Sequence, residues 1–304
     1  MRLQCQNRRD RAINLGIKFS QSFDVESKNL AKPGEVSLFR AMERALRSVA
    51  QPPNIIVEEY HGTNHLVEFY GSGPYSRYKV RCEISDLMVI VYDKKERHAR
   101  LSYIQAKFER KVTSLPSGNA NCKLAANLEQ WDLLANRPLI TGVGHFKPPE
   151  KLLSSAWLDS VGSFVFFLNS RSRFDIYYAT ASQLVMPFNY TQRNGKLTAV
   201  GDRCRGGQFS ECRSVYGTEK FGACLFGQMI GTPIIYCGLS WSQDRNCSTW
   251  LATQLRGFAS QVTEPEHGGD LAREIAQLLD ANGDTAQSPN VGAASLVIIA
   301  VSGE

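Results

Sequence analysis

The sequence lacks a long hydrophobic run, since no segment of its 304 residues approaches the roughly 18 apolar residues that span a membrane. The basic N-terminal segment, MRLQCQNRRDRAINLGIKF, has no apolar stretch of the kind found in secretory signals. Eight cysteines in a chain of this length are too dilute for the disulfide framework of a small secreted domain. We therefore expect reduced thiols, a cytoplasmic location and no membrane partner.

Several sequence motifs that would indicate a chemistry are also missing. The sequence contains no G-x-x-x-x-G-K-[ST] loop and no G-x-S-x-G elbow, which argues against a P-loop NTPase and an α/β-hydrolase. Zinc sites favour close cysteine pairs, whereas gaps of 7, 11, 12 and 9 residues separate the cysteines of the second half, Cys204, Cys212, Cys224, Cys237 and Cys247. This spacing predicts separate thiols rather than a zinc site.

Charge is unevenly distributed along the chain. Residues 1–123 hold 21 Lys and Arg against 13 Asp and Glu, and residues 260–304 hold one Arg against seven acids. A basic first part fits a polyanionic partner such as nucleic acid, which lysine and arginine bind by displacing counterions. A solvated basic surface is the alternative explanation of the same charge.

Alternating helix and strand patterns predict an α/β protein. Residues 1–33 read as a flexible or loosely docked arm, and residues 34–150 as a core that begins with a helix ended by Pro52 and Pro53. A hairpin around HGTN, two apolar strands and a helix over CKLAANLEQWDLLANRP follow. Residues 151–304 read as an α+β region that completes or decorates this core, with long loops over residues 190–228.

Three polar residues mark the two apolar strands. If Tyr92 pairs with Ala99 across the DKKERH loop, Asp86 lies directly opposite Gln105. Lys107 shares a strand face with Gln105 because the two residues are two positions apart. The register therefore predicts that a carboxylate, an amide oxygen and an ammonium converge.

Such a group of side chains suits phosphodiester hydrolysis. Carboxylate and carbonyl-type oxygens are ligands that Mg²⁺ prefers, and a magnesium ion binds phosphate oxygens. A neighbouring lysine can orient or deprotonate a water molecule and stabilise an anionic transition state.

The pattern resembles the PD-(D/E)XK nuclease superfamily, whose restriction-endonuclease-like core has a helix, three antiparallel strands, a helix and a further strand. The family motif places an acid on one strand and (D/E)-x-K on the next, which corresponds to Asp86 and Gln105-Ala106-Lys107. Its Q-x-K form is similar to that of Mrr-like restriction enzymes. The resemblance covers residues 34–140 and implies a Mg²⁺ or Mn²⁺ site formed by Asp86 and Gln105, with Glu43 of the first helix assisting.

The resemblance implies a metal-dependent endonuclease that acts on DNA, with RNA not excluded, and a role in restriction or phage defence. Homo-oligomers or a partner in a defence complex would fit that role. Two alternatives remain open, a non-cleaving nucleic-acid-binding module on a nuclease fold and an interaction scaffold. Candidates for contacts to the nucleic-acid backbone lie near the DKKERH turn: Lys94, Lys95, Arg97 and Arg100.

Overall fold

The structure is a computed structural model that describes residues 2–50, 55–61, 66–72, 79–112, 122–170, 173–186, 193–206, 210–240, 244–261, 269–280 and 293–301. Its α-helices are α1 Arg2–Lys28, α2 Glu35–Ser48, α3 Leu128–Asn136, α4 Thr218–Phe226, α5 Arg245–Gln261 and α6 Asp270–Leu279. The strands of the first half are β1 Ile55–His61, β2 Leu66–Tyr70, β3 Lys79–Glu83, β4 Ser85–Asp93, β5 His98–Glu109, β6 Cys122–Asn127 and β7 Thr141–Gly142. The strands of the second half are β8 Gly162–Ser170, β9 Arg173–Thr180, β10 Asn194–Ala199, β11 Arg203–Arg205, β12 Glu211–Tyr216, β13 Thr232–Tyr236, β14 Leu239–Ser240 and β15 Ala293–Val301.

One large mixed sheet organises the α/β fold. Its strands follow the order β1-β15-β4-β5-β8-β9-β12-β11, and β13 pairs with the start of β5. Strand β15 runs parallel to β4, and β8 runs parallel to β5, while β4 and β5 are antiparallel to each other. The sheet therefore combines strands from both halves of the chain.

Strand β4 is buried on both faces, as its uninterrupted apolar sequence predicts. Met88 and Ile90 pack into a core cluster with α3, α5 and α6. Leu87 and Val89 point the other way, into a cluster with α1, α2 and α4. The end of β4 that carries Asp86 is thus fixed between two apolar layers.

The predicted hairpin around HGTN is wrong. Strand β1 pairs with β15, and β2 pairs with β3 and β7 in a separate small sheet, while residues 62–65 lie outside the described residues. The three consecutive antiparallel strands expected before the QAK segment are therefore not formed. Strand β15 occupies the position next to β4 because its apolar residues, such as Leu296 and Ile298, complete the buried sheet.

Three other segment predictions need correction. Most of the expected flexible arm is helix α1, which buries Ala12, Leu15, Phe19 and Phe23 against α4 and the sheet. The predicted long loops of residues 190–228 contain β10, β11, β12 and all of α4. The helix predicted from residue 122 begins only at Leu128, since the residues before it form β6.

Among the helices of the described residues, none is both long enough and apolar enough to cross a membrane.

Candidate active site

The register of β4 and β5 is the one predicted from the sequence. Tyr92 pairs with Ala99, and the ladder continues to Leu87 opposite Ile104. Asp86 and Gln105 are the residues next to this last pair, so the same register continued by one step would set them opposite each other. The paired residues end at Leu87 and Ile104. Beyond them, the side chain of Asp86 joins the two strands.

The carboxylate of Asp86 closes the end of this strand pair. Its Oδ2 accepts a hydrogen bond from the backbone N–H of Ala106 at 2.8 Å. Burial raises the pKa of Asp86 to about 6, although the Lys107 ammonium and the Ala106 N–H both favour the ionised form. The side chain still exposes 24% of its surface, so a ligand can reach it.

Gln105 is fully buried, which differs from the open position expected for a metal ligand. Its Nε2 donates a hydrogen bond to the carbonyl oxygen of Ile84 at 3.3 Å. Its Oε1 has no hydrogen-bond partner within the described part of the chain. A buried amide oxygen without a partner is unfavourable by about 1–3 kcal/mol, so a cation next to it would relieve a real deficit.

Lys107 connects the strand pair to helix α2. Its Nζ lies 3.9 Å from Oδ2 of Asp86 and 3.1 Å from Oε1 of Glu35. Lys107 is 15% exposed and Glu35 is 43% exposed, so the ammonium group lies below a more open carboxylate. Asp86, Lys107 and Glu35 form one charged cluster, which we call the Asp-Lys-Glu cluster.

Glu35 is a functional candidate that the sequence analysis did not predict. It is the first residue of α2, and its carboxylate also raises the pKa of Asp86. The only available sequence signal was an acid in the first helical turn, where the helix dipole favours one in any protein. Which acid of a helix reaches the sheet depends on how the helix is placed, and residue spacing does not specify that placement.

Glu43 is not part of this cluster. No hydrogen bond or ion pair of the described residues joins it to Asp86, Gln105 or Lys107. It lies eight residues after Glu35, which corresponds to about 12 Å along a helix. The side chain is buried, its Oε2 accepts a 2.7 Å hydrogen bond from Arg40, and its Oε1 has no partner within the described residues.

Arg100 is not available to nucleic acid, contrary to the sequence-based prediction. Its side chain is buried, and its Nη1 donates to the carbonyl oxygens of Ser210 at 2.8 Å and Gly231 at 3.5 Å. Burial lowers the pKa of Arg100 to about 10. Its role is therefore to connect β5 to the segments around β12 and β13.

The other three basic candidates do lie in or beside the turn between β4 and β5. Lys95 and Arg97 are exposed, whereas Nζ of Lys94 lies 3.6 Å from Oε2 of Glu274. The turn starts at Asp93 and contains Glu96, and both of these acids form ion pairs with Arg8 of α1. The turn thus carries mixed charge and lies at the opposite end of β4 from Asp86.

Comparisons with models of known families, with curated proteins and with solved structures give no match to this chain. The geometry of its own side chains is therefore the basis for assigning a function.

Three residues near the end of β4 carry oxygen atoms of the type that could hold a hard divalent cation. Asp86 supplies a carboxylate, Gln105 supplies an unpartnered amide oxygen, and Glu35 places a second carboxylate on the same lysine. Carboxylate and amide oxygens are ligands that Mg²⁺ and Mn²⁺ accept. A cation between them would also offset the burial that raises the pKa of Asp86.

Proposed function

We propose that the chain is a metal-dependent nuclease whose site is formed by Asp86, Gln105, Lys107 and Glu35. The observation that carries this proposal is the position of Nζ of Lys107, 3.9 Å from the Asp86 carboxylate at the end of two paired strands. Gln105, two residues before Lys107 on β5, has a buried amide oxygen with no hydrogen-bond partner within the described residues. A carboxylate, an amide oxygen and a lysine are residue types that can support metal-assisted phosphodiester hydrolysis.

The connectivity around the site supports a restriction-endonuclease-like core. Helix α2 precedes β4 and β5, helix α3 follows them, and β8 then pairs in parallel with β5. The position of β15 between β1 and β4 is a departure from three consecutive antiparallel strands. This departure leaves the strand pair with Asp86 and the QAK segment intact.

Each residue of the site has a role that follows from its contacts. A bound Mg²⁺ or Mn²⁺ would supply charge neutralisation at the phosphate and a more acidic water. Asp86, Gln105 and Glu35 would hold that ion. Lys107, with three donor protons and a position beside Asp86, would orient the attacking water and stabilise the negative charge that develops on the phosphate.

DNA is the substrate that we propose, because the first 123 residues carry an excess of basic residues and a phosphodiester backbone is the polyanion that matches the site. A non-cleaving nucleic-acid-binding module is the second candidate. The full burial of Gln105 favours this non-cleaving module, because burial restricts the access of a metal ion to the amide oxygen.

The test compares wild-type protein with Lys107→Ala and with Lys123→Ala, an exposed lysine of β6 that serves as the matched control. Plasmid, single-stranded DNA and RNA are incubated with Mg²⁺ or Mn²⁺ and with a chelator. We expect metal-dependent cleavage by wild type and Lys123→Ala, and a loss of roughly 100-fold or more in Lys107→Ala.

Two outcomes would contradict the nuclease proposal. Binding without cleavage by wild type would support the non-cleaving module. Equal cleavage by wild type and Lys107→Ala, purified in parallel, would identify a contaminating enzyme as the source of activity.

A further inference from the structure

Three cysteines that are distant in sequence meet at the far edge of the large sheet. Cys204 of β11 and Cys212 of β12 are direct partners across the two strands, and Cys224 lies on α4. The three Sγ atoms all lie within 4.8 Å of one another. Among the described residues, this is the group of His, Cys, Asp and Glu side chains that is close enough to share a metal ion.

The backbone holds two of these thiols in place before any ligand arrives. The N–H of Cys212 donates to the carbonyl oxygen of Met229 at 2.7 Å, and the N–H of Met229 donates to the carbonyl oxygen of Cys224 at 2.8 Å. Met229 therefore connects the strand that carries Cys212 to the helix that carries Cys224. Such preorganisation lowers the entropy that metal binding must overcome.

The two fixed thiols are buried, and the third is open to solvent. Cys212 and Cys224 lie within the core cluster that also contains α1 and α2, whereas Cys204 is exposed on the edge strand. A ligand can thus reach the cluster from the side of Cys204.

A cation lies next to the cluster. Lys220 stands one turn before Cys224 on α4, and its Nζ lies 2.7 Å from Oδ2 of Asp202, two residues before Cys204. Three thiolates around a divalent metal carry a net negative charge, which an ammonium group nearby would offset.

We infer that Cys204, Cys212 and Cys224 bind one thiophilic divalent metal ion of the Zn²⁺ class, with a solvent molecule in the fourth position. Zinc–sulfur bonds of 2.3 Å in a tetrahedron separate the sulfur atoms by about 3.8 Å, which falls within the spacing present here. This site is separate from the proposed nuclease site, since two strands, β8 and β9, lie between β5 and β12 in the sheet.

A disulfide is the competing chemistry for this cluster. It would join two of the sulfur atoms at about 2.05 Å and leave the third without a role. Metal binding uses all three, including the Cys224 thiol that Met229 fixes next to Cys212. The metal-bound and disulfide forms differ in their metal content and in the mass of the protein. Metal analysis and intact mass measured on the same samples therefore distinguish them.

The experiment adds Co²⁺, and then Zn²⁺, to the full chain after complete reduction and removal of metals. We expect one thiolate-bound Co²⁺ per chain, seen as a thiolate charge-transfer band with tetrahedral visible absorption, displacement of that signal by Zn²⁺, and a higher melting temperature in the presence of Zn²⁺. Cys204→Ser should lose these signals while remaining folded, because its side chain is exposed. Cys237→Ser, which removes another exposed thiol, is the matched control and should keep them.

The inference is overturned if the reduced wild-type chain gives no cobalt–thiolate band, or if Cys204→Ser binds the metal as wild type does. It is also overturned if intact mass shows a Cys204 disulfide in the isolated protein and the reduced form takes up no metal. Circular dichroism of each variant establishes that a lost signal reflects a lost ligand and not a lost fold.

Discussion

Oδ2 of Asp86 accepts a hydrogen bond from the backbone N–H of Ala106, and this contact joins the strand that carries the acid to the strand that carries the lysine. Ala106 is the middle residue of the QAK segment, so the bond fixes Asp86 relative to both Gln105 and Lys107. Burial nevertheless disfavours the charge on Asp86 and raises its pKa to about 6. A carboxylate whose ionised form is disfavoured by burial is typical of functional positions.

The first prediction concerns the stability of Asp86→Asn. The folded chain holds the Asp86 proton more tightly than the unfolded chain, whose carboxyl has a pKa near 3.8. The charge therefore destabilises the native state increasingly between about pH 4 and pH 6, and fully above that range. We expect Asp86→Asn to be more stable than wild type at pH 7, by up to roughly 3 kcal/mol, with a much smaller difference at pH 4.

Urea unfolding in chelator at the two pH values measures this difference, and the same variant should have lost metal-dependent cleavage. A variant that is less stable than wild type at pH 7 would show that Asp86 has a purely structural role.

The second prediction compares the two acids of α2. Glu35→Gln should change the free energy of unfolding by less than about 1 kcal/mol, because its ion pair with Lys107 is partly exposed. It should raise several-fold the Mg²⁺ concentration required for half-maximal cleavage. Glu43→Gln should instead lower stability by about 1–2 kcal/mol, because a buried carboxylate bonded to Arg40 is lost, and leave the Mg²⁺ requirement unchanged.

Cleavage rates at increasing Mg²⁺ and urea unfolding of both variants provide the measurements. The reverse pattern, with the metal requirement altered only in Glu43→Gln, would contradict this prediction. It would show that Glu43 assists the metal site, as the sequence analysis expected.

The register of β4 and β5 was predictable because it is local. The short DKKERH loop limits how Tyr92 and Ala99 can pair, and the remaining pairs down to Leu87 opposite Ile104 follow from that start. The neighbour of β4 on its other side was not predictable, because β15 comes from residues 293–301, far away in sequence. Local patterns identify strands, but burial of the whole sheet selects their partners.

The same distinction explains the other differences. The sequence of α1 contains a helical signal among many polar residues. Its buried apolar residues recur at helical spacing: Ala12, Leu15, Phe19 and Phe23. The cysteine cluster contained no such signal. Its members are brought together by the pairing of β11 with β12, by the packing of α4 beside them and by the backbone hydrogen bonds of Met229.

The third prediction concerns Arg100→Ala. Removing this side chain leaves the carbonyl oxygens of Ser210 and Gly231 without their donor inside the protein and creates a cavity. We expect a loss of roughly 2–4 kcal/mol in the free energy of unfolding, with unchanged DNA affinity of the folded protein.

The comparison variant is Lys94→Ala, which removes a partly exposed lysine from the adjacent turn. It should cost less than about 1 kcal/mol, and it should reduce the salt dependence of binding by about one counterion if the turn contacts phosphate. Weaker DNA binding by a stably folded Arg100→Ala would contradict the structural role assigned to that arginine.

The last prediction is that Gln105→Glu couples the stability of the protein to a divalent metal. The substitution turns the Q-x-K segment into E-x-K and places a carboxylate in a fully buried position next to Ala106, whose N–H binds Asp86. It also replaces the Nε2 donor to Ile84 with an oxygen atom. Without metal, the variant should therefore have a lower melting temperature than wild type, because two like charges share a site with low solvent access.

Mg²⁺ or Mn²⁺ should restore the melting temperature of Gln105→Glu by binding the native state alone, and the shift should exceed that of wild type at the same metal concentration. Gln254→Glu, a substitution of the same kind at a buried glutamine of α5, controls for a general effect of burying a carboxylate. It should be destabilised without rescue by metal. Thermal unfolding of the three proteins across a range of Mn²⁺ concentrations decides the matter, since equal metal-induced shifts in the two variants would mean that the end of β4 and β5 does not hold a cation.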